Sequence, residues 1–203
     1  MNAGARAVGG FLVARRHELG LKQREVGFRA GISHTSMVRF EKGQRPVQSV
    51  AVTAKLAKAL EVNPYGLVAM VADGKGKLDR SVSLSSIVDQ LACSYVCDLH
   101  EPECLAELIF LLRAIARKDC EEAAAAAGLH VRSWDKLERN EYRPSIPVLV
   151  RIAERLGSGS EAYRVPLLGL AMRDQLRRQH YERKGETWKP RWTRPPRSRR
   201  WSR

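Results

Sequence analysis

Between Gln23 and Glu41 two short apolar-periodic segments are separated by only Gly31-Ile32-Ser33. Apolar residues recur there at spacings of three and four, the helical period. Two short helices joined so abruptly must cross steeply, which needs a sharp turn and close backbone approach. Gly31 serves the turn, where a positive φ costs little. Gly27 and Ala30 keep the crossing thin; Gly27 costs about 1 kcal/mol against alanine in a helix, so close contact is the reason to keep it. Val26, Ile32, Met37 and Phe40 make one apolar side, and Ser33 is a good N-cap for the second helix. That leaves His34, Thr35, Ser36 and Arg39 on the other side.

The same period runs from Ala7 to Leu67, broken at Gly20, Gly31, Gly43 to Pro46 and Asn63-Pro64. It predicts helices over about 5–18, 23–30, 34–41, 48–60 and 64–71. The polar stretch Ala72 to Ser86 reads as a linker. A second helical block follows, with helices expected over about 85–99, 103–116, 120–127, 131–138, 145–156 and 161–179. The end of the chain mixes arginine, proline and tryptophan and reads as irregular.

The second block repeats the first. With Gly31 set on Gly128, an offset of 97, Ala30 falls on Ala127, Ile32 on Leu129, Met37 on Trp134, Phe40 on Leu137 and Glu41 on Glu138. After one insertion Pro46 meets Pro144; further on, with two residues dropped, residues 55–60 fall on 151–156. Small residues match small ones and core types match core types.

Charge points to a polyanionic partner. The net charge of +14 is unevenly spread: residues 1–80 hold 14 Lys+Arg against 6 Asp+Glu, residues 81–172 hold 10 against 13, and residues 173–203 hold 12 against 3. Nucleic acid is the first candidate for such cationic ends. Arginines interrupt the N-terminal segment where a signal peptide would be apolar, and no apolar run is long enough to span a membrane. The expected location is the cytoplasm (bacterial cytosol or nucleoid, or a phage- or plasmid-encoded protein there), with thiols rather than disulfides.

Leu21, Gln23, Val26, Ala30-Gly31-Ile32-Ser33, Met37 and Phe40-Glu41-x-Gly43 together resemble the lambda-repressor/Cro, or XRE, family of helix-turn-helix proteins. The likeness covers about 60 residues, extending through helix one, with Arg16 in place of the family arginine, and through "KLAKALEVNPYGL" after the motif. It implies a five-helix bundle, binding of double-stranded DNA, and an Arg16–Glu41 pair holding helix one to the recognition helix. Lys22 departs from the usual Ser/Thr cap, and the loop after Gly43 is one residue shorter than usual. The second block is a more degenerate copy, with Cys120 in place of the glutamine and Glu121-Glu122 beside it; Asp119 with Glu122 makes a capping box.

The expectation is an all-α chain: two tandem lambda-repressor-like five-helix bundles joined by a linker and extra helices, with a basic tail. Its divisions are a DNA-binding domain at 1–72, a linker at 73–84, a second domain at 85–172 and an Arg/Trp/Pro tail at 173–203. His34, Thr35, Ser36 and Arg39 are the candidate base readers, with Gln23 added from the resemblance; Lys22, Lys42, Gln44 and Arg45 are placed to meet phosphates. Arg132, Ser133, Lys136, Arg139 and Arg143 are their candidates in the second copy. One such helix reads too few base pairs for selectivity, so two must act together. A homodimer on an inverted repeat is preferred over one chain using both copies, with helices 85–99 and 103–116 as candidate dimer surfaces. Trp188, Trp192 and Trp201 give the tail rings that can stack on sugars or bases.

Cys93, Cys97, His100 and Cys104 have ligand-like spacing, but on one straight helix they span about 16 Å and cannot surround one ion. They read as core rather than metal site. No phosphate loop, HExxH or serine elbow is present, so neither enzyme nor cofactor is expected. The functional expectation is a transcriptional regulator, of repressor type. The rivals are a protein-interaction module (an antitoxin or assembly factor) and a plasmid-maintenance or DNA-organising protein.

Overall fold

The computed structural model describes residues 3–74, 102–156 and 163–190. Among these the chain forms ten helices and no strands: α1 Ala3–Glu18, α2 Gln23–Ala30, α3 His34–Glu41, α4 Val50–Ala59, α5 Pro64–Asp73, α6 Leu105–Ile115, α7 Cys120–Ala126, α8 Val131–Glu138, α9 Ile146–Leu156 and α10 Arg164–Arg183. The all-α class is as the sequence indicates. The region 85–99, offered above as a helix and dimer surface, lies outside the described residues.

Local chemistry sets the helix ends. Gly31 adopts φ 59° and its N–H closes α2 onto Gly27 and Phe28 carbonyls. Ser33 caps α3, its Oγ accepting from the Ser36 N–H. Asn63 caps α5 with Pro64 at its first position, where the missing proline N–H is no loss. At α7 the capping box forms as expected, Asp119 accepting from Glu121 and Glu122 while Glu122 accepts from the Asp119 N–H.

The first core joins Val8 and Leu12 of α1 to Val26, Ala30, Met37, Phe40, Leu56, Leu60 and Leu67. Two glycines let the backbones approach. A Cβ on Gly27 would lie 3.0 Å from the Ile32 carbonyl oxygen, and one on Gly9 would lie 2.5 Å from the Glu41 carbonyl oxygen. Gly9 thus seats α1 directly on the end of α3.

The second core gathers Leu108, Ile109, Leu112, Trp134, Leu137, Ile152 and Leu167. The apolar run at 108–112 serves this core: Leu108, Ile109 and Leu112 are fully buried within the chain. They are therefore not a free surface for a second copy. Val50, Ala54 and Val68 from α4 and α5 belong to the same core, so the two halves are packed together rather than strung on a tether.

The contacts of the first half recur at an offset of 97. Arg16 donates to Glu41 and to the Leu21 carbonyl; Arg113 donates to Glu138 and to the Lys118 carbonyl. Gly31 and Gly128 share the left-handed turn conformation, as do Gly43 and Asn140. The N–H of Ile32 bonds the Gly27 carbonyl, and that of Leu129 the Ala124 carbonyl, each at 2.8 Å.

Helix α10 runs four residues past the expected end at 179, so the division drawn at 173 falls inside it. Residues Pro166 to Gln175 are all buried, including the polar Arg173, Asp174 and Gln175. Such groups need partners inside. Arg173 donates to the Pro102 and Glu103 carbonyls, and Asp174 accepts from the Leu105 N–H at 2.9 Å. These bonds tie α10 to the start of α6. At its other end Arg164 donates to the Ala72 carbonyl and pairs with Asp73 at 3.1 Å, tying α10 to the end of α5.

Candidate nucleic-acid interface

Helix α3 has two opposed sides. Met37 and Phe40 are buried in the first core, while His34, Thr35 and Arg39 face solvent. Arg39 makes no hydrogen bond or ion pair with a described residue, so its guanidinium fork is available. Ser36 is half-buried, and its Oγ accepts from the Ser33 hydroxyl at 2.9 Å. It keeps a hydroxyl proton to donate, on a side chain the cap holds still.

The position of α3 is fixed by one carboxylate. Glu41 accepts from Arg16 Nε at 2.8 Å and Nη2 at 3.2 Å, and from Gln23 Nε2 at 2.8 Å. Arg16 also holds the Leu21 carbonyl at 3.0 Å. The implied Arg16–Glu41 pair is therefore present, and it joins α1, α2 and α3 at a single point. Gln23, assigned to the DNA through the resemblance, has one amide N–H committed to this knot; its second N–H and its carbonyl oxygen are left over.

Exposed cations flank α3 along the chain. Lys22 precedes α2 and makes no side-chain cap, as its identity suggested, and it is exposed. Lys42, Gln44 and Arg45 are exposed on the loop leaving α3. Arg45 lies over the Phe40 ring, 5.8 Å from its centroid, which limits its wandering. Arg24, exposed beside Lys22, was missed by the sequence reading; its place one residue into α2 is the signal that would have found it. Phe28 was missed too and is 88% exposed on the outer side of α2.

In the second half, Arg132 and Lys136 are exposed and Ser133 is half-buried on α8. Arg139 is exposed and paired with Asp135 at 2.7 Å, and Arg143 lies 3.9 Å from Glu182. His130 caps this helix, its Nδ1 accepting from the Arg132 N–H at 3.1 Å. Acidic residues stand at the start of α7, where Glu121 and Glu122 are exposed. The carboxylate knot differs here: Glu138 is fully buried and its further donor is Trp134 Nε1 at 2.7 Å.

Of the cysteine and histidine cluster, Cys93, Cys97 and His100 lie outside the described residues. Cys104 is buried at the start of α6, and burial pushes its thiol up to about 11. Trp192 and Trp201 of the tail also lie outside. Trp188 is half-buried, with the Arg178 guanidinium 5.4 Å from its ring centroid, so this part of the tail docks on α10.

Residues 7–67 match the model of a helix-turn-helix domain family. This segment is an XRE-like helix-turn-helix domain, and it coincides with α1 to the beginning of α5. No curated protein and no solved structure matches the chain. Among the described residues no helix is long and apolar enough to cross a membrane.

Proposed function

Taking the helix-turn-helix domain as the premise, we propose that the chain is a sequence-specific regulator of transcription that acts in the cytoplasm by binding double-stranded DNA. It inserts α3 into the major groove, and it represses by occupying the duplex that a polymerase needs. One observation carries this reading: His34, Thr35 and Arg39 share an open side of a helix whose other side is locked in the core. Arg39 can take a bidentate guanine contact, and Thr35 can bond a base edge or touch a thymine methyl. Lys22, Arg24, Lys42 and Arg45, exposed on the segments before and after α3, supply charge for phosphates, which give most of the affinity and fix the register.

Selectivity in a genome calls for two such readers on one site. The test is selection of bound duplexes from a random pool by the full chain, followed by footprinting at defined salt. A shared motif protected in the major groove supports the proposal. Equal retention of scrambled duplexes at every salt concentration overturns it.

A further inference from the structure

Helix α5 packs on α10, α4 packs on α10, and α5 packs on α9. In the 97-residue register, with chain order carrying it past the insertion, α9 and α10 stand for α4 and α5. The pairings are then α5 with its counterpart, and α4 with the counterpart of α5 in both directions. Each half presents the same surface to the other, the mark of a two-fold rather than a translational relation.

The bonds across the junction agree. The Gln48 carbonyl, just before α4, accepts from the N–H of Ile146, the first residue of α9, at 2.8 Å. Equivalent points therefore meet near an axis. Arg164, at the start of α10, bonds the end of α5 through Ala72 and Asp73. Tyr65, in the first turn of α5, feels the charges of Arg173, Asp174 and Arg177 further along α10. The two helices thus run antiparallel, as a two-fold axis perpendicular to them requires.

The outward residues follow the same register. Ser36 falls on Ser133, Arg39 on Lys136 and Lys42 on Arg139, and Thr35 falls on a further cation, Arg132. Each cationic loop ends at the junction: Arg45 is three residues before Gln48, and Arg143 three before Ile146. Three residues span at most about 10 Å. The two loops thus lie within roughly 25 Å of each other, less than the ~34 Å turn of a duplex that separates half-sites. One difference opposes contact: Lys22 and Arg24 fall on Asp119 and Glu121, so phosphates are repelled at the start of α7.

From this arrangement we infer that the chain is an internal dimer, in which α8 is a second DNA-contacting helix and a single chain binds two unequal half-sites. The inference rests on the proposed DNA reading by α3. It places phosphate contact in the second half at α8 and the loop after it, away from α7.

Native mass spectrometry and hydroxyl-radical footprinting of the full chain on its selected duplex test it. The expected result is one chain per duplex, with two protected segments about one turn apart and different in sequence. The Arg132→Ala/Lys136→Ala pair, both exposed, should lose one protected segment and reduce the salt slope by about 2. Arg39→Ala should disturb only the other segment. Two chains on an inverted repeat overturn the inference, as does a wild-type footprint and slope from the α8 variant while Arg39→Ala still alters preference. If Arg39→Ala and Thr35→Ala leave preference untouched, the α3 reading itself falls, and this inference with it.

Discussion

Glu41→Ala removes the carboxylate that α1, α2 and α3 share. The side chain is 5% exposed and its partner Arg16 is 14% exposed. Deleting one member of a buried pair typically costs about 3–5 kcal/mol, because the other charge is left uncompensated. Arg16 would keep its bond to the Leu21 carbonyl and has an edge in water, which places the cost near the lower end, about 3 kcal/mol. With a urea dependence of about 2 kcal/mol per molar, the unfolding midpoint should fall by about 1.5 M. Circular dichroism reports the whole chain, whereas all four tryptophans lie at or beyond Trp134 and their fluorescence follows the second half. Both probes should shift together, because Val50, Ala54 and Val68 pack into the second core. Duplex affinity should also fall, since the end of α3 and the Lys42 to Arg45 loop lose their anchor to α1. Glu41→Gln, which keeps acceptor oxygen but no charge, should fall between wild type and Glu41→Ala. A midpoint shift below about 0.5 M for the alanine variant would refute the idea that this knot sets α3.

Gly9→Ala should destabilise by about 1–3 kcal/mol, since its Cβ would meet the Glu41 and Phe40 carbonyl oxygens at 2.5 and 2.6 Å. Gly10→Ala, with nothing within 4 Å of the added carbon, is the control and should stabilise by up to about 1 kcal/mol in the same urea titration. Arg39→Ala should relax preference at one or two base positions by about 1–3 kcal/mol, whereas Lys42→Ala should weaken all duplexes alike and lower the salt slope by about 1. Identical effects from both would dissolve the division into readers and phosphate contacts. Burial raises Asp174 to about 6 from 3.8, against the Leu105 N–H and the charges of Arg173, Arg178 and Arg177. The folded chain therefore holds this proton more tightly than the unfolded one; the stability it lends is full below about 4 and lost as pH rises through about 6, a span of about 3 kcal/mol. Asp174→Asn should flatten the urea midpoint across that window, and an unchanged pH slope would remove Asp174 as its source.

Helix positions were legible because their ends are written locally, in Gly31, Ser33, Asn63-Pro64 and the Asp119 capping box. The need for Gly9 was not, because it arises from carbonyls of Phe40 and Glu41 on another helix. The same holds at Arg173-Asp174-Gln175. Three polar residues in a row read as the start of a solvated tail, yet they are buried, and the groups that bond two of them sit at Pro102, Glu103 and Leu105. A periodic pattern records which residues are apolar; it does not record which polar ones find partners some seventy positions away.

The site shows the same division between identity and fate. The resemblance assigns Gln23, and helix position Arg39, to the duplex, but Glu41 accepts from the Gln23 amide, while Arg39 finds no described partner. The second half carries this further. Cys120 stands where Gln23 does, and the donor that joins Arg113 on Glu138 comes from within α8, as the Trp134 indole. The start of α7 is thus not needed as that donor, and its residues Asp119, Glu121 and Glu122 are acids where Lys22, Arg24 and Glu25 stand in the first half. A helix kept in place by its own tryptophan can keep its outward cations while the neighbouring helix turns acidic. That combination is what a second, unequal half-site contact through α8 alone requires.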